Sequence, residues 1–455
     1  MQVDHLLLIS FACEPDQGSE PGVGWDLAMS MARTGKRVHV VTHECHRAGI
    51  EQYFTSQETP DPSLTRLRFS YFKLPTPLSW LRKCQAGLNL YYYCWQLGVG
   101  RMVRRLHAQH RFDAVQHATY ARYWMPSGAA ALASGRSSIP FIWGPVGGGE
   151  DMPVPFRKGV GLRGRLLDLA RRTARAVFEL DPILRRTARR ADLTLATTHE
   201  TAARLRALGA RDVRVCSAIG WTPESISIGE APILRDGGRE QRIRFISAGR
   251  LLYWKGFHLG LRGFADANIE NAEYVIFGDG PDRRRLETLA RDLNISDRVT
   301  FRGAAPRSEF LRALSSADVL VHPSLHDSGG GVCLEAMAAG KPVICLHLGG
   351  PATIVNDATG FRVAAMSPEQ AIRDLNWSMR LLSNDVALRT RLGAAGHARC
   401  HEIYDWDRRA QHMGEIYADV CAKRLRVEMA KPEAEELAAT AKSVSVNLGL
   451  RNANS

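Results

Sequence analysis

The sequence has nine cysteines, an odd number, and no two of them are spaced as Cys-x-x-Cys. This argues against a disulfide framework and against a zinc site, and indicates a reducing compartment. The chain also lacks an apolar run of the roughly 18 residues that a membrane-spanning helix needs. Its start, MQVDHLLLISFA, predicts a buried strand rather than a signal peptide, because Asp4 and His5 precede only a short apolar run. We therefore expect a cytoplasmic protein.

Acidic residues are absent from a long segment, 62–112, which carries nine Lys and Arg. Residues 1–220 hold 30 basic residues against 18 acidic ones, whereas residues 221–455 hold 30 against 29, so the net charge of +13 lies mostly in the N-terminal half. Aromatic residues are mixed with the arginines of this segment, which is typical of a helix at an anionic membrane surface. A core helix with a solvated basic face has the same pattern. No recognition motif accompanies the charge, so nucleic acid is not an expected partner.

The organisation of the chain predicts two α/β domains. The Pro-, Gly- and Glu-rich stretch 222–241 is interpreted as a linker. On both sides of it short apolar runs alternate with helical patterns, which predicts parallel sheets with helices on both faces. We expect an N-terminal domain over 1–221, a second domain over 242–401, a helix over 402–425 and a partly disordered tail over 426–455. Neither domain has a GxGxxG motif followed by an acidic residue about twenty positions later, which argues against an NAD-dependent oxidoreductase.

The stretch from His322 to Pro351 carries the strongest functional signal. A strand leads into a turn with Asp327 and three glycines, and a short helix and another buried strand follow. Such a turn lets a ligand approach the backbone, and the helix start offers free N–H groups and a partial positive charge to phosphate. Upstream, Arg250 and Lys255 frame the turn after the strand FISAG, and two cations at the carboxyl edge of a sheet suit a diphosphate. A Gly-rich connector without a ligand is the alternative interpretation.

The combination of AGRLLYWKG, GDGP, VTFRG and PSLHDSGGGVCLEAMAAGKPVI resembles the C-terminal domain of retaining GT-B glycosyltransferases of the family-4 type. The resemblance covers roughly residues 3–425 and is strongest over 243–360. It implies two Rossmann-like domains facing a central cleft, with the final helix crossing back onto the first domain. It also implies transfer of a hexosyl group from a nucleoside-diphosphate sugar to a hydroxyl group, with retention of configuration. No metal or bound cofactor is implied, because two cations take the place of a metal ion and the nucleotide sugar is a co-substrate.

The resemblance assigns roles to individual residues. Arg250 and Lys255 correspond to the pair that holds the donor diphosphate, and Asp327 stands where the family usually has a glutamate that faces the donor sugar. Glu335 corresponds to a glutamate that binds the ribose hydroxyls, and His117 matches a histidine beside the donor sugar. The other expected donor-binding residues are Gly22 and Gly24 in the first glycine-rich loop, Gly278, Gly280, Arg302 and Gly303 near the nucleobase, and Gly329, Gly330 and Gly331 near the phosphates.

These assignments make Arg250, Lys255, Asp327 and His117 the expected catalytic set. The expected partners are a nucleotide-sugar donor and a glycan or lipid-linked acceptor of cell-surface polysaccharide synthesis. The basic N-terminal half adds the expectation of peripheral contact with the inner face of the cytoplasmic membrane. Two alternatives of other classes stay open: a nucleotide-sugar epimerase with the same architecture, and a non-catalytic scaffold that binds glycans or nucleotides.

Overall fold

The computed structural model describes residues 3–56, 61–75, 85–135, 138–159, 162–222 and 242–426. Two parallel β-sheets organise these residues, one in each half of the chain. Nearly all of the predicted linker and of the predicted C-terminal tail lie outside the described residues.

The first sheet has seven parallel strands in the spatial order β3-β2-β1-β4-β5-β6-β7. Every residue of the central strands β1 and β4 is buried, as expected when helices cover both faces of a sheet. The strands are β1 His5–Ser10, β2 Arg37–His43, β3 Leu67–Phe72, β4 Ala114–Thr119, β5 Phe141–Val146, β6 Leu193–Ala196 and β7 Val213–Val215. The helices are α1 Ser19–Arg33, α2 Arg47–Ser56, α3 Gln85–His110, α4 Leu162–Glu179, α5 Pro182–Arg190 and α6 His199–Ala207.

The second sheet has six parallel strands in the order β10-β9-β8-β11-β12-β13. The strands are β8 Ile243–Ala248, β9 Ala272–Phe277, β10 Val299–Gly303, β11 Val319–His322, β12 Val343–Leu346 and β13 Gly360–Val363. The helices are α7 Phe257–Ala267, α8 Arg283–Asp292, α9 Arg307–Ser316, α10 Gly331–Ala338, α11 Gly349–Ile354, α12 Pro368–Asn384, α13 Val386–Arg399 and α14, residues 406–426.

Both sheets reverse their strand order beside the first strand of the domain, between β1 and β4 and between β8 and β11. The loops that leave such neighbouring strands diverge, which opens a crevice at the carboxyl edge where doubly wound proteins bind ligands. In the second sheet, Phe245 of β8 pairs with Val319 of β11, and Ile246 pairs with Leu320. The loops after β8 and β11 therefore leave the sheet side by side. The predicted α/β architecture of two Rossmann-like sheets is confirmed.

Helix α14 returns to the N-terminal domain. Its residues Trp406, Met413 and Tyr417 belong to the apolar core that also contains β1 and α1. Near the end of the helix, Arg424 donates a hydrogen bond to Asp192 at 2.8 Å. The last described helix is therefore part of the first domain in space, although it follows the second domain in the chain.

Helix α3 lies in the basic segment without acidic residues. Its aromatic residues Tyr91, Tyr92 and Trp95 are at most 1% exposed, and Phe11 packs edge-on against two of them. The pattern at these positions therefore belongs to a core helix and not to an aromatic belt at a membrane surface. Across the described parts of the chain, no helix combines the length and the hydropathy of a bilayer-spanning segment.

Candidate functional site

The loops that leave β8 and β11 meet at the reversal point of the second sheet. After β8 the chain enters a short 3₁₀ helix, Tyr253–Lys255. The N–H of Leu325 donates to the carbonyl oxygen of Trp254 at 2.8 Å, which joins the two loops. Gly256 has a φ of 70°, and an added Cβ would lie 1.9 Å from the carbonyl oxygen of Pro323. Only glycine therefore permits this close approach of the two loops.

An ion pair between Lys255 and Asp327 lies at the centre of this crevice. Lys255 Nζ is 2.6 Å from Asp327 Oδ2, and His322 Nε2 is 3.0 Å from the same oxygen. The paired side chains are only 20% and 16% exposed, so solvent screens their attraction weakly. Burial alone would raise the pKa of Asp327, but the hydrogen bond from His322 and the charge of Lys255 outweigh it and hold that pKa well below its usual range.

Asp327 also organises the glycine turn that follows it. Its Oδ1 accepts hydrogen bonds from the N–H groups of Gly329 and Gly330, both at 3.1 Å. Gly330 has a φ of 69° and caps helix α10, whose first residue, Gly331, is exposed. The N-terminus of α10 is therefore open to a ligand, and its unpaired N–H groups favour an anion. Asp327 thus joins Lys255, His322 and the glycine turn, and its approach to a donor sugar stays a prediction.

Two arginines at the same edge of the sheet, Arg250 and Arg302, have exposed side chains. Arg250 lies in the turn after β8, and Arg302 lies near the end of β10. Within the described parts of the chain, neither guanidinium group forms a hydrogen bond or an ion pair. A guanidinium group in this state binds phosphate oxygens in bidentate geometry. The turn after β8 thus carries one free cation, Arg250, and one that is paired, Lys255.

The GDGP turn packs against the turn after β8. An added Cβ at Gly278 would lie 2.0 Å from the carbonyl oxygen of Gly249, and one at Gly280 would lie 2.3 Å from that of Leu251. The N–H of Gly278 donates to the carbonyl oxygen of Gly303 at 2.7 Å. The turns after β8, β9 and β10 therefore stack backbone against backbone, which accounts for these glycines. Their proximity to a nucleobase stays a prediction.

Glu335 pairs with an arginine that sequence analysis missed. Arg307, at the start of α9, donates from Nε to Glu335 Oε1 at 3.0 Å, and its Nη2 lies 2.9 Å from the same oxygen. Burial raises the pKa of Glu335, and the charge of Arg307 offsets part of this effect. Glu335 Oε2 has no partner in the described part of the chain, and its contact with a ribose hydroxyl stays a prediction. The two partners are 28 positions apart in the chain, so no local motif indicated this pair.

Asp26, in α1 of the first domain, lies near both Arg307 and helix α14. Burial raises the pKa of Asp26 to about 6, although the charge of Arg307 and a hydrogen bond with Trp406 act in the opposite direction. A carboxyl group with a raised pKa favours the folded state at low pH, below its unfolded value of about 4, and this contribution is lost as pH rises through 6.

We therefore expect the Asp26→Asn substitution to stabilise the protein more at pH 8 than at pH 5. Asparagine keeps an acceptor for Trp406 but removes the charge that is costly to bury. Thermal melting of both proteins at the two pH values measures the difference. An equal change in melting temperature at pH 5 and pH 8 would show that this carboxyl group titrates normally.

The first glycine-rich segment is helical, so the predicted loop around Gly22 and Gly24 is wrong. Helix α1 begins at Ser19, which places Gly22 and Gly24 in its first two turns. An added Cβ at Gly24 would lie 2.3 Å from the carbonyl oxygen of Ala12, and Gly22 is equally crowded. These glycines allow the helix to pack closely against the loop after β1, and this packing outweighs their low helix propensity.

His117 is completely buried in the first domain. Its Nε2 lies 3.0 Å from the hydroxyl group of Tyr92 and 3.2 Å from Nε2 of Gln96, both on α3. Burial lowers the pKa of His117 to about 4, so its imidazole ring is neutral. The structure does not support the prediction that His117 touches the donor sugar, because β4 directs this side chain into the core beneath α3.

The loop after β4 instead presents neighbouring polar and aromatic groups. The N–H of Tyr120 donates to Glu20 Oε2 at 3.0 Å, and Arg122 donates to Asn89 Oδ1 at 2.7 Å. The guanidinium group of Arg122 lies 5.0 Å from the ring centre of Tyr120 and 5.5 Å from that of Trp124. Sequence analysis assigned no role to these residues; their position directly after a central strand was the available signal.

One carboxylate of the first domain reaches the glycine turn of the second. Glu150 follows β5 and is 3% exposed. Its Oε2 accepts a hydrogen bond from Ser328 Oγ at 2.5 Å, and its Oε1 accepts from the hydroxyl groups of Thr198 and Thr201 at 2.7 and 2.8 Å. Sequence analysis did not select Glu150, although the run of glycines before it marks a close backbone approach.

Comparison with known protein families matches both halves of the chain. Residues 18–217 match the family described as "Glycosyl transferase 4-like domain", and residues 234–399 match "Glycosyl transferases group 1". The chain is 32% identical over 180 residues to the uncharacterized glycosyltransferase MJ1607 of Methanocaldococcus jannaschii, covering 39% of this chain and 45% of that protein. It is 31% identical over 211 residues to the lipopolysaccharide core biosynthesis glycosyltransferase LpsE of Rhizobium meliloti, covering 46% and 59%. The alignments thus span about half the length of these relatives.

Solved structures resemble the chain over nearly its whole length. Sucrose-phosphate synthase from Thermosynechococcus elongatus has a TM-score of 0.61 at 20% identity, over 92% of this chain and 100% of that chain. WaaG, a glycosyltransferase involved in lipopolysaccharide biosynthesis, has a TM-score of 0.56 at 19% identity, over 90% and 99%. At these identities the similarity shows the GT-B fold alone. Taken together with the two family matches, it shows that the chain belongs to the group 1, family-4-type glycosyltransferases.

Proposed function

We propose that the protein is a retaining, metal-independent hexosyltransferase. It transfers the sugar of a nucleoside-diphosphate sugar to a hydroxyl group of a glycan or lipid-linked acceptor in cell-surface polysaccharide synthesis. The observation that carries this proposal is the grouping of Arg250, Lys255 and the open N-terminus of α10 around the reversal point of the second sheet. Three sources of positive potential at one edge of a parallel sheet suit a diphosphate.

The names of similar proteins support the donor and acceptor classes. LpsD and LpsE of Rhizobium meliloti are lipopolysaccharide core biosynthesis glycosyltransferases. Anabaena Alr3699/HepE, with a TM-score of 0.57 at 17% identity, is known in complex with UDP, and also with UDP-glucose. These proteins favour a nucleotide-sugar donor and a surface glycan for the present chain over the scaffold alternative.

In the proposed reaction, positively charged groups that are already in place bind the leaving diphosphate. Lys255 has three N–H donors and uses one for Asp327, so the others can bind phosphate oxygens. Arg250 offers a planar fork of donors to the same phosphates, and the N-terminus of α10 adds a partial positive charge. Such preorganised groups stabilise the charge that develops as the sugar–phosphate bond breaks, which is the role that a metal ion has in other transferases.

In this proposal the acceptor hydroxyl attacks the donor sugar on the face that the diphosphate leaves, so the configuration of the sugar is retained. A phosphate oxygen of the leaving group is then placed to accept the proton of the acceptor hydroxyl. Asp327 keeps Lys255 and the glycine turn in position and needs no proton-transfer role, consistent with its contacts to Lys255, His322 and two backbone N–H groups. Glu335 Oε2 binds the ribose, and the groups around Tyr120 and Arg122 bind the acceptor.

The proposal is tested by incubating the purified protein with UDP-, GDP- and ADP-hexoses and lipid-linked oligosaccharide acceptors. We expect acceptor-dependent release of one nucleoside diphosphate and a product whose anomeric configuration, measured by NMR, equals that of the donor. Inverted product contradicts retention. Conversion of the nucleotide sugar without acceptor favours the epimerase, and binding without any turnover favours the scaffold.

A patch of exposed apolar residues supports membrane contact of the first domain. Leu169, Val177 and Leu180, on and directly after α4, are 59%, 63% and 70% exposed. Their spacing places them within about 80° of one another around the helix axis. The arginines Arg172 and Arg186 of α4 and α5 are also exposed. Apolar side chains next to arginines are typical of surfaces that insert into the headgroup region of anionic lipid.

We expect a variant with serine at Leu169, Val177 and Leu180 to lose most of its binding to phosphatidylglycerol vesicles at low salt. The cause is the loss of apolar surface that the membrane would bury. Co-sedimentation measures the bound fraction. The matched control carries serine at three equally exposed apolar residues of the second domain, Met366, Trp377 and Val386, and should bind like the wild type. Equal binding by both variants, or no binding of the wild type, contradicts this membrane surface.

A further inference from the structure

A buried carboxylate at the boundary between the two domains links them at the candidate donor site. Glu150 comes from the first domain and bonds to Ser328 of the second, and 178 residues separate the two in the chain. Ser328 stands between Asp327 and Gly329, two residues that shape the glycine turn. We propose that Glu150 is a positioning residue that acts through Ser328 to hold this turn in its diphosphate-binding shape. The inference rests on the donor site of the proposed function.

The first domain holds the Glu150 carboxylate in a fixed place. The hydroxyl groups of Thr198 and Thr201, at the start of α6, both donate to its Oε1. Thr201 in turn accepts a hydrogen bond from the N–H of Gly149 at 3.0 Å, and Thr198 accepts one from the N–H of Thr201 at 3.1 Å. Because these hydroxyls are tied to the backbone, Oε2 is oriented toward the second domain without further adjustment.

The second domain packs tightly around the same carboxylate. An added Cβ at Gly349 would lie 3.4 Å from Glu150 Cγ and 2.2 Å from the carbonyl oxygen of Asp327. The N–H of Gly350 donates to that carbonyl oxygen at 2.8 Å. An added Cβ at Gly147 would lie 3.4 Å from Ser328 Cβ. The start of α11, the glycine turn and the loop after β5 therefore meet at this point, so a shift of one is transmitted to the others.

The hydrogen bond between Glu150 and Ser328 affects the order of the glycine turn because the Glu150 carboxylate is charged and buried. No cation forms an ion pair with the Glu150 carboxylate in the described part of the chain, and three hydroxyl groups satisfy it. Removing the Ser328 hydroxyl leaves one oxygen of a buried carboxylate without its donor, which is costly. The Ser328 bond exists only while the two domains are in contact, so it couples their approach to the order of the phosphate-binding turn.

The test compares Glu150→Gln, Glu150→Ala, Ser328→Ala and the double alanine variant. Hydrogen exchange of the backbone amides in residues 327–331 is measured without any substrate. We expect faster exchange in both alanine variants, no further increase in the double variant, and retention of most protection in Glu150→Gln, because an amide can still bond to Ser328. In turnover assays the donor KM should rise about tenfold in the alanine variants, while the acceptor KM changes little.

Ser30→Ala provides the control, because it removes a buried hydroxyl group of the first domain whose hydrogen bonds, to the carbonyl oxygens of Asp26 and Leu27, stay within α1. Exchange in residues 327–331 should stay close to that of the wild type in this variant. If Ser328→Ala also exchanges like the wild type, or if Ser30→Ala exchanges as fast as Glu150→Ala, Glu150 does not act through Ser328 and the inference is wrong. A failure of the proposed function appears differently, as absence of turnover with any donor while the exchange pattern holds.

Discussion

Replacing Lys255 by alanine is expected to lower the rate of sugar transfer by about three orders of magnitude while the protein stays folded. The ammonium group is held 2.6 Å from Asp327 and is only 20% exposed, so it needs no reorganisation when charge develops on the leaving diphosphate. Because this charge is largest in the transition state, the loss should lower kcat more than it raises the donor KM. Initial rates over a range of donor concentrations measure both constants.

Arg284→Ala is the matched control for charge. Arg284 is exposed on α8 and, in the described part of the chain, forms no hydrogen bond or ion pair. Its loss removes one positive charge outside the crevice and should leave transfer unchanged. The Lys255→Arg variant should have a transfer rate between those of the wild type and Lys255→Ala, since the planar guanidinium group cannot take the same place between Asp327 and a phosphate. Near-normal turnover in a folded Lys255→Ala protein contradicts the assignment.

The Asp327→Asn substitution is expected to destabilise the fold by about 3–5 kcal/mol and to abolish nucleotide binding. The asparagine oxygen can still accept from the two glycine N–H groups. Its NH₂ group, however, would face Lys255 and His322, which leaves a mostly buried ammonium group without a counter-charge. Urea unfolding measures the loss of stability, and calorimetry measures the loss of binding.

The same substitution has a defined pH dependence. The pKa of Asp327 is depressed in the folded protein, so its stabilising contribution is fully present above the unfolded value of about 4 and is lost as pH falls through the folded value. Wild type and variant should therefore differ fully at pH 7 and converge only in strong acid. The control is Asp357→Asn, which breaks an exposed pair with Arg362 at 2.7 Å and should cost less than about 1 kcal/mol. Equal losses of unfolding free energy in Asp327→Asn and Asp357→Asn would contradict the stabilising role of the buried Asp327 carboxylate.

Local patterns in the sequence were sufficient to predict the two sheets and to select several residues of the candidate site. Apolar runs between glycine turns predict parallel strands, and Arg250, Lys255, Asp327 and Glu335 lie in compact motifs. Parallel strands end at the same edge of a sheet, and the turns after β8 and β11 leave this edge from neighbouring strands. The structure brings Lys255 and Asp327 together across 72 residues of chain.

Such local patterns predict neither the direction of a buried side chain nor the pairing of residues that are far apart in the chain. Every residue of β4 is buried, so the strand has no polar alternation to show which way His117 points. Gly22 and Gly24 have low helix propensity, and only their close contact with the loop after β1 explains why they are helical. The partners of Glu150 and Arg307 lie far away in the chain, and no periodicity signals contacts of this kind.

The central claim is that the second sheet binds a nucleoside diphosphate at the Lys255–Asp327 pair. The most direct test is calorimetric titration of UDP, GDP and ADP into the wild-type protein and the Lys255→Ala variant, with melting curves of the same mixtures. We predict that one diphosphate binds and, at 100 times its Kd, stabilises the wild type by about 2.7 kcal/mol, and that the variant loses most of this effect. Binding of none of the three, or equal binding to both proteins, would contradict the account.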